Sequence, residues 1–182
     1  GYIFGASSYS SNSSYVPSSL ATVIITGGSG IGNYAFYDCE YIRSITLSQN
    51  TSYIGDYAFN GCGSLGEIAI PQGVTSIGQY AFSGCDAEIV WEGTPQISSI
   101  GSYAFAGYLG SSLEIPSSVT SISRNAVNGC SSLNTLTIPF VGSGSGSSYS
   151  HFGYIFGASG YSSNSSYVPS SLSTVIITGG SE

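Results

Sequence analysis

Lysine and methionine are both missing from this sequence, and Arg43 and Arg124 are its only residues that are basic at neutral pH. Nine acidic residues set the formal net charge at −7, and the isoelectric point falls near 4.2. Nucleic-acid binding depends on Lys and Arg neutralising phosphates, so nucleic acid is excluded as a partner class. An anionic membrane surface is disfavoured on the same ground. No apolar run approaches the roughly 20 residues that span a bilayer, so no membrane insertion is expected. No basic stretch followed by an apolar one opens the chain at Gly1, so a signal peptide and an anchor are not expected within it.

The markers of chemistry are equally sparse. His151 has Ser148 and Ser150 nearby, but nothing in the sequence supplies an orienting acid or oxyanion donors. The run Gly27-Gly28-Ser29-Gly30 lacks the Lys of a phosphate-binding loop. The four cysteines lie far apart, without the close Cys pairs or the His partners of a zinc site. No catalytic residue, metal site or cofactor is expected, and the chain reads as non-enzymatic.

What the sequence has in abundance is repetition. Ile54-Gly55-Asp56-Tyr57-Ala58-Phe59-Asn60-Gly61-Cys62 recurs with variations from Ile31, Ile77 and Ile100, and in a worn form from Ile122. The starts at 31, 54, 77, 100 and 122 are separated by 23, 23, 23 and 22 residues. A fixed step of this size is the mark of a solenoid, in which each repeat is one coil. A single coil buries too few apolar side chains to offset the entropy of ordering it, and stacking on neighbours makes up the difference.

Each repeat has one grammar. The Tyr-Ala-Phe stretch is too short for a stable α-helix and predicts a single turn of 3₁₀ or irregular structure. Cys and a Gly/Ser pair then turn the chain into a short strand, at 43–47, 67–70, 88–92, 113–115 and 135–138. Another strand is expected at 20–26 and an unfinished one at 172–178. Pro71, Pro116 and Pro139 end three of them, since Pro cannot donate to a ladder. A step such as Val74-Thr75-Ser76 leads back to Ile-Gly. The third repeat departs from the pattern, with two residues fewer before its strand and two more after it.

Alternation assigns the faces. Ile45, Leu47, Ile68, Ile70, Ile89, Trp91, Leu113, Ile115, Leu136 and Ile138 point inward. Phe36, Phe59, Phe82 and Phe105 should stack as a buried ladder closed by Val127. Cys39, Cys62, Cys85 and Cys130 share one slot of the repeat, which Tyr108 fills in the remaining copy. A disulfide framework would not trade one member for Tyr, so a column of reduced, inward thiols is expected, free Cys behaving as a small hydrophobe. Gly32, Gly55, Gly78 and Gly101 mark a sharp bend, where a positive φ is expected.

A second period overlies the first. Residues 153–181 repeat residues 1–29 at an offset of 152, differing only at Ser8/Gly160 and Ala21/Ser173. The whole of 1–182 thus reads as one solenoid. It has a Ser- and aromatic-rich insert at 1–19, regular repeats of about 23 residues at 20–140, a long insert at 141–171 that ends by repeating the first, and a strand of a further repeat at 172–182. The pattern is expected to continue beyond both ends. The Gly/Ser run 141–148 alone would read as a flexible linker.

The motif Ile-Gly-x-Tyr-Ala-Phe-x-x-Cys-x-x-Leu-x-x-Ile-x-Ile-Pro-x-x-Val-Thr-x resembles the BspA-like leucine-rich repeat of bacterial and some protist surface proteins. The resemblance covers about residues 20–140 and the last strand. It implies a right-handed β-solenoid with a parallel concave sheet and short 3₁₀ or irregular convex turns. It also implies adhesion or matrix binding at a cell surface, without enzymatic activity. Tyr108 for Cys, Val127 for Phe and the two inserts depart from the pattern. No binding residue carries over, because the pattern fixes core positions only.

Candidate binding residues therefore come from the outward strand positions: Thr46, Glu67, Glu88, Val90, Glu92, Glu114, Thr135 and Thr137, within a face that also carries Thr22, Ile24, Ser44, Ala69, Thr174 and Ile176. Glu67, Glu88 and Glu114 belong to consecutive coils and are expected one strand spacing, ~4.8 Å, apart. Such an acidic patch suits solubility, a basic protein partner or weak Ca²⁺ binding. The insert aromatics Tyr2, Phe4, Tyr9 and Tyr15 lie among Ser and Asn as in paratopes, or else pack back on the solenoid. The column Tyr34, Tyr57, Tyr80 and Tyr103 reads as stacking that covers the core, with a carbohydrate platform as the alternative. The partner expected is a protein or a glycan, the location extracellular or cell surface. End-to-end self-association through unpaired coil edges is also expected. The rival function is a structural spacer in a long tandem array.

Overall fold

The computed structural model describes residues 12–144 and 151–179. Among these, eleven short strands form three parallel sheets. The outer strands are β1 (Thr22–Ile24), β2 (Ser44–Thr46), β4 (Glu67–Ile70), β6 (Glu88–Trp91), β8 (Ser112–Glu114), β10 (Thr135–Ile138) and β11 (Thr174–Ile177). Between them come two-residue strands, β3 (Tyr53–Ile54), β5 (Ser76–Ile77), β7 (Ser99–Ile100) and β9 (Ser121–Ile122). The coils stack in register: Val23 faces Ile45, Ile68 faces Ile89, and Leu136 faces both Leu113 and Val175. The repeat solenoid expected from the sequence is the fold.

The inward side chains form columns. The Phe36, Phe59, Phe82 and Phe105 rings stack at 5.4, 5.2 and 5.6 Å between successive centroids. Val127 follows them in the core, and Phe156 of the second insert lies beyond it, also fully buried. Cys39, Cys62, Cys85 and Cys130 are all reduced and buried. The Cys62 and Cys130 thiols donate to the carbonyls of Phe36 and Phe105 in the preceding coil, at 3.1 and 3.2 Å.

The two-residue strands form a second sheet, β3-β5-β7-β9, where the sequence suggested only a connecting step. Its rim explains the Thr and Ser of that step. Ser52, Thr75, Ser98 and Thr120 each donate a side-chain hydroxyl to the backbone carbonyl of the same position one coil back, at 2.6–3.2 Å. Each backbone amide there does likewise.

On the convex side the turns are irregular, as expected. Their amides alternate between a turn bond within the coil and a bond to the next coil: Tyr37 donates to Tyr34 O, whereas Phe36 donates to Ala58 O. This alternation places the positive φ on Tyr34, Tyr57, Tyr80 and Tyr103 (54–58°) and on Asn125 (65°). It does not fall on Gly32, Gly55, Gly78 or Gly101, which corrects the sequence reading. The left-handed conformation costs an ordinary side chain roughly 1–2 kcal/mol. The tyrosines offset it by stacking at 4.9, 4.8 and 4.6 Å, an arrangement worth about 0.5–1.5 kcal/mol per pair. Glycine at position 78 has a different cause. A Cβ there would lie 2.6 Å from the Gly55 carbonyl carbon and from the Asp56 amide nitrogen. The coils approach too closely for any side chain, except at Gly32, where nothing lies within 4 Å.

The second insert packs back on the solenoid. A 3₁₀ helix, Phe152–Phe156, buries Ile155 and Phe156, and Val127 donates its amide to Ile155 O. The Arg124 guanidinium donates to Gly157 O at 2.6 Å, and Asn128 donates to Phe156 O at 2.8 Å. The short helix α2 (Asn164–Tyr167) follows, and its counterpart α1 (Asn12–Tyr15) begins the described chain. Tyr2, Phe4 and Tyr9 lie outside the described residues.

Two outcomes follow. Gly78→Ala should lose about 1–3 kcal/mol of stability, because backbone must shift, whereas Gly32→Ala should be neutral or gain about 0.4–1 kcal/mol; denaturant melts compare them, and equal losses would refute the close-approach role. The thiols give a pH signature. Burial pushes Cys85 up to about 12 and Cys130 to about 11, from an ordinary value of 9.0, and raises Cys39 and Cys62 as well. These thiols then ionise at moderately alkaline pH only in the unfolded chain, so their contribution to stability should hold below pH 9 and fall as pH rises towards 11 and 12. A fluorescence-monitored denaturation series across that range measures it, and Cys85→Ala with Cys130→Ala should flatten the slope.

Candidate functional site

The outward side chains of the outer strands make the concave surface, and alternation sets them in rows. One row on the first half of the sheet runs Thr22, Ser44, Glu67, Glu88. The next runs Ile24, Thr46, Ala69, Val90, two positions further along each strand. The first row is acidic and hydroxylic. The second carries exposed apolar groups at both ends, with Ile24 66% and Val90 36% accessible. Glu92 lies just past β6 and accepts a hydrogen bond from Gln49 Nε2 at 2.8 Å. Together with Arg43, Thr46, Glu67 and Ala69 it lines a shallow hollow of about 250 Å³.

The face is not one continuous sheet. The ladder order is β1-β2-β4-β6, then a break, then β8-β10-β11. On the second half, Ser112, Thr135 and Thr174 make one row and Glu114, Thr137 and Ile176 the next. The structure therefore brings Glu67 and Glu88 together as register partners, but Glu114 lies across the break and in a row with Thr137. The triple carboxylate patch expected from the sequence is corrected to a pair. Among the described residues, no three His, Cys, Asp or Glu side chains converge where they could hold a metal ion. Thr135 and Thr137 are half-buried beside the exposed Glu114.

The break has an identifiable cause. In intact coils a large aliphatic residue three positions after the Cys, at Ile42, Leu65 and Leu133, is buried at 0–1% exposure. The third repeat, two residues short, offers only Ala87 nearby, and the fourth has Ser111 in that place. The Tyr108 ring, 2% exposed, fills the space instead. Its hydroxyl donates to Ser112 O at 3.1 Å. Burial first, then the Glu88 carboxylate, raises its ionisation above the ordinary value, and the Ile89 backbone amide acts on it in the opposite sense. Gly110 leaves room for the ring, since a Cβ there would strike it. Trp91 reaches across the break, donating its indole N–H to Glu114 O at 2.9 Å. A filling ring and one side-chain hydrogen bond across the break thus stand where a ladder would be, and Ile89 and Trp91 are left only half-buried. The clues were visible in sequence as the shortened third repeat and Tyr in the Cys slot.

With the geometry in view, the relatives can be placed. Residues 29–143 match the family described as BspA type leucine rich repeat region, in six copies. The chain belongs to that family. Its fold is similar to a leucine-rich repeat protein of Bacteroides ovatus, with 28% identity and a TM-score of 0.57 over 65% of this chain and 40% of that one. It is also similar to the T. pallidum leucine rich repeat protein, with 25% identity and a TM-score of 0.58 over 69% of this chain and 61% of that one. The chain therefore spans less than two thirds of either structure. No curated protein matches it.

The remaining candidates make contacts within the fold. The Tyr34–Tyr103 column is half-buried, its rings stacked on one another. His151 Nδ1 lies 3.2 Å from Asn164 Oδ1 and packs edge-on against Tyr154. Its sequence neighbours Ser148 and Ser150 lie outside the described residues.

Tyr108→Phe isolates the hydroxyl. It keeps the ring and orphans Ser112 O, so a loss of about 1–2 kcal/mol is expected in denaturant melts. An unchanged midpoint would mean that the hydroxyl holds nothing together.

Proposed function

We propose that this BspA-type repeat domain is a non-enzymatic binding module of a cell surface, engaging a protein or glycan through its concave face. The observation that carries this reading is the two-row surface of the first half-sheet. Val90 is exposed on the same strand face as Glu88, which pairs with Glu67, and Ile24 is exposed at the far end of the same row as Val90, on strands joined by one ladder. Together they offer a partner apolar and charged contacts on one face. The partner chemistry that fits is a surface with an apolar contact flanked by cations, since the row opposite carries only carboxylates and hydroxyls. Among the described residues, no helix is long and apolar enough to cross a membrane. The surface location rests on the family and on a polar surface rich in Ser, Thr and Tyr but poor in charge.

A structural spacer is the second reading, favoured by the near-identity of residues 1–29 and 153–181. The two readings separate in one experiment. The protein is tested on an array of matrix proteins and glycans, beside the double variant Glu67→Gln/Glu88→Gln and the variant Val90→Ser. The binding reading expects capture by one class of probe, weakened about tenfold or more in each variant, roughly 1.4 kcal/mol. Capture that ignores all three substitutions, or none at all, would leave the spacer.

A further inference from the structure

Two aromatic columns run through four successive coils, and they differ by one oxygen per ring. Inside are Phe36, Phe59, Phe82 and Phe105. Two residues earlier in each coil, on the half-buried convex side, stand Tyr34, Tyr57, Tyr80 and Tyr103. The backbone does not call for a ring there, since Asn125 takes the same left-handed conformation in the fifth coil without one. Stacking does not call for a hydroxyl, since Phe stacks as well. A hydroxyl suits a half-exposed ring, and it also gives this column a chemistry that the Phe column lacks.

Successive Tyr centroids lie 4.9, 4.8 and 4.6 Å apart, with ring planes 10°, 14° and 2° from parallel. Like side chains in register keep like atoms opposed, so the carbon ortho to each hydroxyl faces its counterpart on the next ring. Burial raises the ionisation of the Tyr80 phenol, and the Tyr103 and Tyr57 phenols raise it further, so the three hydroxyls are near enough to act on one another. Tyr37 also approaches Tyr34 and Tyr57, at 5.8 and 6.3 Å, but its ring is turned by 63° and 58° from theirs. A phenol that loses an electron in such a stack has a second phenol against its face and water at its edge to take the proton.

We propose that the tyrosine column is an oxidative modification site, at which a peroxide joins neighbouring coils covalently as dityrosine. Each of two adjacent tyrosines gives up one electron and its phenolic proton. The two phenoxyl radicals form a bond from ortho carbon to ortho carbon. The hydrogen on each joined carbon then leaves as a proton, each oxygen takes a proton back, and both rings are aromatic again. The pair has lost two electrons and two protons. The electrons cleave the O–O bond of the peroxide: hydrogen peroxide takes up the two protons as well and becomes two waters, whereas peroxydisulfate becomes two sulfates and the protons go to solvent. The new bond ties residues 23 apart in the chain, such as Tyr80 and Tyr103. It closes a loop that the unfolded chain would otherwise leave open, and so fastens one coil to the next. With each ring coupling once, the column is fully used by the links Tyr34–Tyr57 and Tyr80–Tyr103. None of this depends on what the concave face binds.

The test exposes the full chain, at high dilution, to peroxydisulfate with a ruthenium photosensitiser in light. Cleavage after Asp and Glu then puts Tyr57, Tyr80 and Tyr103 in separate peptides, because Glu67, Asp86, Glu88 and Glu92 lie between them. The expected result is dityrosine fluorescence in the monomer, at a yield per chain independent of concentration, and a linked mass that joins the Tyr80 peptide to the Tyr103 peptide. Fragmentation of that mass tells Tyr103 from the buried Tyr108, which shares its peptide. Two double variants keep every ring and the same number of phenols. Tyr34→Phe/Tyr57→Phe leaves Tyr80 and Tyr103 adjacent and should retain their link. Tyr34→Phe/Tyr80→Phe leaves Tyr57 and Tyr103 two coils apart and should lose every link within the column. Equal column linkage in the two variants would overturn the proposal. The unsubstituted chain would overturn it alone, by forming no dityrosine, by linking only between molecules, or by joining exposed tyrosines such as Tyr41 and Tyr161 in place of the column.

Discussion

The hydrogen bond from each coil to the same position one coil away is the constraint on which the rest of this structure depends. All three sheets and the convex turns use it, and the hydroxyls of Ser52, Thr75, Ser98 and Thr120 reinforce it along one rim. Parallel in-register pairing forces like residues into columns, because any one-residue slip would turn the inward set of a strand outward. Residue choice at each column follows from the local room. Phe fills the centre, and Cys fits where a small apolar group can also donate weakly to a carbonyl. Gly stands where the backbones nearly touch, and Tyr where stacking offsets a left-handed backbone.

The interruption between β6 and β8 shows how far that constraint can bend. Loss of two residues ahead of the third strand removes the aliphatic side chain that normally fills the coil corner. The sheet parts there, yet the coils stay stacked, since the Tyr108 ring fills the gap, its hydroxyl caps the Ser112 carbonyl of its own coil, and the Trp91 indole reaches a carbonyl across the break. The second sheet and the Phe column run through without a break at this point. The concave surface becomes two platforms, one acidic and apolar, the other dominated by Thr. A partner of modest size would meet one platform or the other.

Period, strand positions and inward faces could be read from the chain alone, because the same physical requirement is written five times over. Ile68, Ile70, Leu113 and Leu136 went to the interior as alternation requires. The thiol column followed from one slot being shared by Cys and Tyr. What could not be read were features that depend on distance between coils. The role of Gly78 is set by backbone atoms of another coil, and the positive φ of Tyr80 by which amide must reach outward. The acidic patch failed for another reason: Glu114 lies between its inward pair Leu113 and Ile115 as Ala69 and Val90 lie between theirs, so alternation already set it one row away from Glu67 and Glu88. The family pattern, which fixes interior positions, had no means of placing it.

The proposed binding role needs a rigid face, and rigidity here means nearest-neighbour coupling along the stack. A double-mutant cycle on the Phe column measures that coupling most directly. Phe59→Leu and Phe82→Leu, whose rings lie 5.2 Å apart, should be non-additive by about 0.5–1.5 kcal/mol. Phe59→Leu and Phe105→Leu, two coils apart, should add to within about 0.5 kcal/mol. Equal coupling in the two pairs, or none in either, would contradict a solenoid held together coil by coil.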